Sequence, residues 1–413
     1  LGSLYTPEAS TPYMTRLPGI ESPERVVCHV DVDCFYAACE RLREPKLEGE
    51  PLVVGMGYEP GETHGAVATA SYEAREHGVE SAMAISEALE RLPRRGGADP
   101  VEPSGFYRPV DMAFYESVSE DVRAVLSTAG ETVRNVSIDE AYLDLGDIEW
   151  AAAGSFGRSL KRDIEADAGV VASVGIAPDM TTAKLASDAE KPDGLVVVDP
   201  DSVRSFLAPI PVEELHGVGP VTASELRSMG FETAGEIASG PESVFVDAFG
   251  ERGRDLYAQA RGEDDRAVEP KGEPKSLSSE SAFTDAAGTR ERKEAKVRDL
   301  ATEVTTRASA KDALYRTIGI KVVTPPFDVH TRSRSLSGPV DDPELVERTA
   351  LELLSEFADE PVRKLGVRLS NLSFDDREQA TISEWDSHDA GGDSRLDRRR
   401  GVEHGQATLS RFE

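Results

Sequence analysis

The octapeptide SIDEAYLD (137–144) sets two carboxylates, Asp139 and Glu140, side by side inside an otherwise strand-like stretch. A half-buried strand alternates apolar and polar residues, and this pair breaks the alternation. Burying a charge is costly unless it is paired or binds a metal, so any fold that keeps these residues must bring positive charge to them. RVVCHVDVD (25–33) also reads as a strand and places Asp31 and Asp33 on one face, since residues two apart share a side. Carboxylates from two strands of one sheet could meet around hard cations such as Mg²⁺, which favours phosphate substrates. A pair of such ions can activate an attacking oxygen and stabilise a leaving one in phosphoryl transfer. Taken singly, Asp-x-Asp is often only a strand end and Asp-Glu only a solvated turn.

The chain of 413 residues is too long for one ordinary core, so several domains are expected. No stretch is long or apolar enough to cross a bilayer. Residues 1–23 lack a basic start followed by an apolar run, so no signal peptide is expected and a cytoplasmic location is the default. Cys28, Cys34 and Cys39 fit no zinc spacing and read as small hydrophobes. The net charge of -31 taken alone argues against nucleic acid. It also suits a protein from a very salty cytoplasm, as in a halophilic archaeon, where salt screens self-repulsion. The deficit is uneven: residues 275–374 hold 16 Lys and Arg against 16 Asp and Glu. A neutral segment on an acidic background is the place to expect contact with a polyanion.

Along the chain, the strand at 25–33 leads into a helix at 34–44. PLVVGMG and GAVATAS read as two short strands, and PVDMAFYESVSEDVRAVLSTAG as an amphipathic helix ended by Gly130. TVRNVSIDEAYLDLG reads as strand, turn and strand. GRSLKRDIEADAG is then a helix, VVASVGIAP a strand and TTAKLASDAEKPDG a helix. DDRAVEPKGEPKS, with two prolines and no periodicity, reads as a linker. The segments after it follow the order β-α-β-β-α-β.

VDVDCFYA and SIDEAYLD together resemble motifs of the Y-family DNA polymerases, the translesion enzymes, most closely their DNA polymerase IV branch. GAVATASYEAR (65–75), AEKPDG (189–194) and LHGVGP (215–220) follow in that family's order. The resemblance implies an α+β multidomain fold shaped like a right hand. The palm would span 24–34 and 108–199, the fingers 35–107 and a helical thumb 200–264. A linker at 265–274 would lead to a β-α-β-β-α-β little finger at 275–375. Residues 1–23 and 376–413 would be loose tails.

It also implies roles. Asp31, Asp139 and Glu140 would be catalytic and, with the backbone carbonyl of Val32, would hold two Mg²⁺ ions, while Asp33 would be structural. Tyr36 would be a steric gate where a ribose 2′-hydroxyl would sit, or a core aromatic at a helix start. Thr69, Tyr72, Arg75 and Lys191 would hold the incoming deoxynucleoside triphosphate, since Arg and Lys both suit phosphate oxygens. The plain alternatives are an ion pair of Arg75 with Glu73 or Glu76, and a helix-end charge for Lys191. Gly217 and Gly219 in a helix-hairpin-helix would let backbone N–H groups meet a phosphate of primer–template DNA. Lys275, Ser276, Arg332 and Arg334 would follow the DNA backbone, although Arg332 and Arg334 also suit a charge-guarded edge strand. Gln406, Leu409 and Phe412 match the spacing of a sliding-clamp peptide, with Glu413 where a second aromatic often stands.

The expected activity is therefore template-directed, error-prone DNA synthesis across damaged DNA, by a monomer without proofreading. The rivals are another palm-type enzyme and a non-catalytic DNA-binding scaffold.

Overall fold

The computed structural model describes residues 25–96 and 103–374. Both expected tails, with Gln406, Leu409 and Phe412, lie outside the described residues. The described strands are β1 (Val27–Val32), β2 (Leu52–Met56), β3 (Ala66–Ala70), β4 (Phe106–Pro109), β5 (Thr132–Asn135), β6 (Glu140–Asp144), β7 (Ala172–Ala177), β8 (Leu195–Val197), β9 (Ser276–Ala287), β10 (Leu314–Thr324), β11 (Asp328–Val340) and β12 (Val362–Ser373). They fall in two compact units. One takes the chain up to Asp33 with Ser119–Pro270, and the other takes Cys34–Val118 with the chain from Lys271 onward.

The first unit is built on a five-stranded sheet of order β5-β6-β1-β7-β8. β1 is central, pairing antiparallel with β6 and β7, and its apolar VCHV start is completely buried. Helix Trp150–Ala168 covers one face. It begins seven residues before the stretch GRSLKRDIEADAG, because the small residues of WAAAGSF let it lie close, with Ala153 and Gly157 buried. Helix Met180–Ala189 covers the other face, capped by the Asp179 carboxylate, which accepts from Thr182 N at 2.8 Å. Its approach to β7 depends on Gly175: a Cβ there would lie 2.1 Å from the Ala183 carbonyl oxygen.

The helices from Val203 to Ala260 bury Leu207, Leu226, Ile237, Phe245 and Leu256 in one apolar cluster with Val27, Tyr142 and Ala177 of the sheet. The stretch read as a linker is partly bound to this unit. Val268 is buried, Asp264 accepts from Thr181 N and Oγ1, and Arg25 donates to the Arg266 carbonyl. Composition gave no sign of this, since one buried valine and one buried carboxylate carry no periodicity.

The second unit holds two sheets. In the three-stranded one, of order β3-β2-β4, β2 pairs antiparallel with β3 and parallel with β4 around Val53, Val67, Ile85 and Tyr107. The four-stranded antiparallel sheet has order β11-β10-β12-β9. Helices Arg290–Ser309 and Pro343–Leu354 pack on one face of it over Tyr315, Ile318, Ile320, Leu365 and Val367. This is the β-α-β-β-α-β order expected from the sequence.

Candidate active site and DNA-contact elements

The register of the five-stranded sheet brings the acids together. Asp31 at the end of β1 stands directly opposite Glu140 at the start of β6, and opposed residues share a face. Val32 N donates to the Asp139 carbonyl at 2.9 Å, and the Asp139 carboxylate accepts from Ser137 Oγ. Residues more than a hundred positions apart therefore meet at one half-buried corner. Burial pushes the carboxyls of Asp31 and Asp139 above their usual range; Lys191 opposes the effect at Asp31, whereas Asp31 and Glu140 add to it at Asp139. Burial would also raise Glu140, but His29 and Lys184 outweigh it and hold the group at about 2.

Asp33 has partners of its own. Its carboxylate accepts from Ser173 Oγ at 3.0 Å and from Asp193 N at 2.8 Å, tying β1 to the turn before β8.

The positive charge comes from one helix and its C-terminal turn. Lys191 Nζ lies 2.7 Å from Asp31 and 2.7 Å from Asp188, and Lys184 Nζ lies 2.8 Å from Glu140 Oε1. Sequence reasoning assigned Lys191 to phosphate and missed Lys184 and His29. A signal was present, because residues 184, 187, 188 and 191 follow the i, i+3, i+4, i+7 spacing of one helix face. His29 gave none, as a lone polar residue in a buried strand.

Among the described residues, no three His, Cys, Asp or Glu side chains form a ready metal cage. The donor chemistry nevertheless fits a hard divalent cation. Three carboxylates converge, and two are held above their usual range by burial, so bound positive charge would relieve them.

In the other unit, the Tyr36 ring is half-buried and stacks on Tyr115, centroids 4.7 Å apart. Tyr115 is anchored by donating to Glu40 at 2.8 Å. Thr69 lies on β3 opposite Val54. Arg75 pairs with neither Glu73 nor Glu76: its Nε donates to the Ala70 carbonyl at 3.0 Å and its guanidinium lies 4.9 Å over the Tyr72 ring. Glu73 is taken by Arg41 at 2.8 Å.

At the helix-hairpin, Gly217 has φ +82, which favours glycine, and nothing lies within 4 Å of a Cβ built on Gly217 or Gly219. Gly219 caps helix Pro220–Ser228, so the N–H groups of that first turn have no intrahelical acceptor. In the four-stranded sheet, Lys275 is exposed and Ser276 accepts from Arg368 at 3.0 Å. Arg332 and Arg334 alternate on β11 as expected, but they stand opposite Ile320 and Ile318, on the helix-covered side. There they pair with Glu356 at 2.7 Å and Glu352 at 2.6 Å. The opposite face carries Lys321, Lys364 and Arg368 among small residues, with Glu280 between them paired to both lysines, a set that strand alternation could have revealed.

An antiparallel strand pair carrying two carboxylates with a third in the turn beside it, faced by a lysine-bearing helix and accompanied by a helix-hairpin turn, is the arrangement of a palm-type nucleotidyltransferase. The impB/mucB/samB family matches residues 30–188, its C-terminal domain matches 274–382 and the IMS family HHH motif matches 200–231. The chain is 58% identical to DNA polymerase IV of Halobacterium salinarum over 91% of its own length and 92% of the relative's. It is 40% identical to DNA polymerase IV of Methanoculleus marisnigri over 87% and 98%. A solved Y-family DNA polymerase chimera of Dbh and Dpo4 superposes with a TM-score of 0.72 at 28% identity, covering 85% of this chain and 100% of that one. An insertion ternary complex of Dbh DNA polymerase superposes with a TM-score of 0.61 at 26% identity, over 85% and 100%. The chain belongs to the Y family of DNA polymerases, in its DNA polymerase IV branch: it is a DNA-directed DNA polymerase of the translesion type, and that family uses divalent metal. No helix among the described residues is long and apolar enough to cross a membrane.

Proposed function

We propose that the corner of Asp31, Asp139 and Glu140 is where nucleotides are joined, with two Mg²⁺ ions held by these carboxylates and the Val32 carbonyl. The observation that carries this reading is the register that sets Asp31 opposite Glu140. When bound, such ions supply Lewis-acid charge at the attacking and leaving oxygens. The chain's own residues then have separate tasks. The carboxylates hold position, and Lys191, now shared between Asp31 and Asp188, exchanges a carboxylate for a phosphate oxygen. By their match to the family's motifs, Thr69, Tyr72 and Arg75 take the rest of the triphosphate, and Tyr36 excludes a 2′-hydroxyl. Tyr36 suits that task because its ring is backed by Tyr115 rather than free to swing.

Gly217 and Gly219 offer backbone N–H groups to a DNA phosphate, which needs no positive side chain and suits an acidic protein. Lys275, Ser276, Arg332 and Arg334 are assigned to the DNA backbone, and for Arg332 and Arg334 this requires release from Glu356 and Glu352. Gln406, Leu409 and Phe412 are assigned to a sliding clamp. The protein acts as a cytoplasmic monomer and carries no proofreading activity.

Primer extension on an intact and a lesion-bearing template tests the reading. Extension past the lesion, without removal of a mismatched 3′ end, is expected. Excision of that end by the purified chain would contradict the reading, and so would extension that survives both Asp139→Ala and Glu140→Ala.

A further inference from the structure

His29 is 0% exposed, yet both ring nitrogens are engaged. Nδ1 lies 2.7 Å from Ser187 Oγ and Nε2 lies 2.8 Å from Glu140 Oε1. Three separate elements build this position. His29 precedes Asp31 by two residues on β1 and so shares its face. Its neighbours across the sheet are Tyr142 on β6 and Gly175 on β7. Because Gly175 has no side chain, helix Met180–Ala189 descends until a Cβ on that glycine would stand 2.3 Å from the Ser187 amide nitrogen. That descent brings Ser187 to the ring. Tyr142 closes the opposite side, ring centroids 4.5 Å apart.

Hydrogen counting gives the contacts a direction. A carboxylate can only accept, so Nε2 carries the proton that Glu140 receives. At Nδ1 the partner is the Ser187 hydroxyl oxygen at 2.7 Å, and that hydroxyl itself donates to the Lys184 carbonyl at 2.7 Å.

We propose that His29, oriented by Ser187, is a positioning residue for Glu140: its Nε2–H fixes Oε1 and so sets the direction in which Oε2 is offered to a divalent cation. The proposal rests on the reading of Glu140 as a cation ligand. Lys184 touches the same Oε1 but on a flexible stem that is 32% exposed, whereas the imidazole is clamped by two strands and a helix. Hydrogen bonds that orient a metal-binding side chain are worth roughly 10–100-fold in metal affinity or activity.

The test uses the full chain with His29→Leu, His29→Gln and Ser187→Ala, and with Glu140→Ala as control. Mn²⁺ binding is read by electron paramagnetic resonance without DNA or nucleotide, and single-nucleotide insertion is read as a function of Mg²⁺ concentration. His29→Leu should weaken Mn²⁺ binding, and raise the Mg²⁺ needed for half-maximal insertion, by roughly 10–100-fold. Ser187→Ala should move both readouts in the same direction by less. His29→Gln, whose amide can still donate toward Glu140, should recover a clear part of the loss. A folded His29→Leu with wild-type metal dependence overturns the proposal, and so does a folded His29→Gln no better than His29→Leu. If His29→Leu does not fold, Ser187→Ala decides, and unchanged Mn²⁺ binding there overturns it. Wild-type insertion by Glu140→Ala would instead remove the reading of Glu140 as a ligand.

Discussion

Gly175→Ala strains the corner without altering any of its polar groups. The new Cβ would sit 2.1 Å from the Ala183 carbonyl oxygen and 2.3 Å from Ser187 N, where real Cβ atoms essentially never come below 3.0 Å. Both obstructing atoms are helix backbone, so helix Met180–Ala189 must lift by about 0.9 Å, the difference of 3.0 and 2.1. A lift of that size stretches the 2.7 Å contact of Ser187 with His29 to about 3.6 Å, past hydrogen-bonding range, and draws Lys184 away from Glu140. Overpacking of this kind costs about 1–3 kcal/mol, which lowers Tm by about 2–12 °C for a unit of this size. A displacement near 1 Å costs roughly 10²-fold in rate. Gly157→Ala is the control. Its Cβ would meet the far end of Leu195 at 2.5 Å, on the other side of the sheet, where a side chain can turn away. Thermal melts and single-turnover nucleotide insertion read the two effects. Gly175→Ala should lose stability and rate together, while Gly157→Ala should keep its rate. Equal loss of rate in both variants, or wild-type behaviour of Gly175→Ala, would refute the reasoning.

Tyr36→Val should raise ribonucleotide insertion relative to deoxynucleotide insertion by roughly 10–200-fold, measured by competition on one primer–template, with Tyr115 left in place as the unchanged backing. Burial alone would raise the Asp264 carboxyl, but the Arg266 guanidinium and Thr181 hold it below its usual range. Its stabilising contribution is therefore complete above the ordinary carboxylate pKa and is lost as pH falls through the lower folded value. Asp264→Asn should cost about 1–3 kcal/mol at neutral pH, and in melts taken at successively lower pH the gap from wild type should close. Lys293 is buried and donates to the carbonyls of Phe357, Ala358 and Glu360, so Lys293→Met should destabilise the four-stranded sheet and its helices by about 1–3 kcal/mol, again read by thermal melting.

Much of this fold could be read from spacing. The buried run of β1, the strand–turn–strand around Asp139 and the β-α-β-β-α-β order after residue 275 all follow from periodicity and from the glycines that end elements. What stayed hidden depends on contact rather than pattern. β4 and β8 span four and three residues, too few to show alternation, and helix Ile85–Arg91 makes only two turns. The linker reading missed Val268 and Asp264 because a pair of buried residues leaves no mark on composition. At the site, the carboxylates were visible because acids in a strand are anomalous, and Lys191 came through its motif. Lys184 was written into the helix face of 184, 187, 188 and 191, but its target lay on another strand. His29 needed the register of β1 against β6 and β7, which no local window holds. Arg332 and Arg334 show the opposite case: their alternation was correct, but only the sheet reveals that their side belongs to the helices and to Glu352 and Glu356.

Single-turnover insertion of one deoxynucleotide, in Mg²⁺, by the intact chain and by Asp31→Asn, Asp139→Asn and Glu140→Gln asks most directly whether these three carboxylates work as one centre. Each variant should bind primer–template as the intact chain does and insert at least roughly 10³-fold more slowly, about 4 kcal/mol of lost transition-state stabilisation. Insertion within tenfold of the intact chain by any of the three would contradict the shared centre.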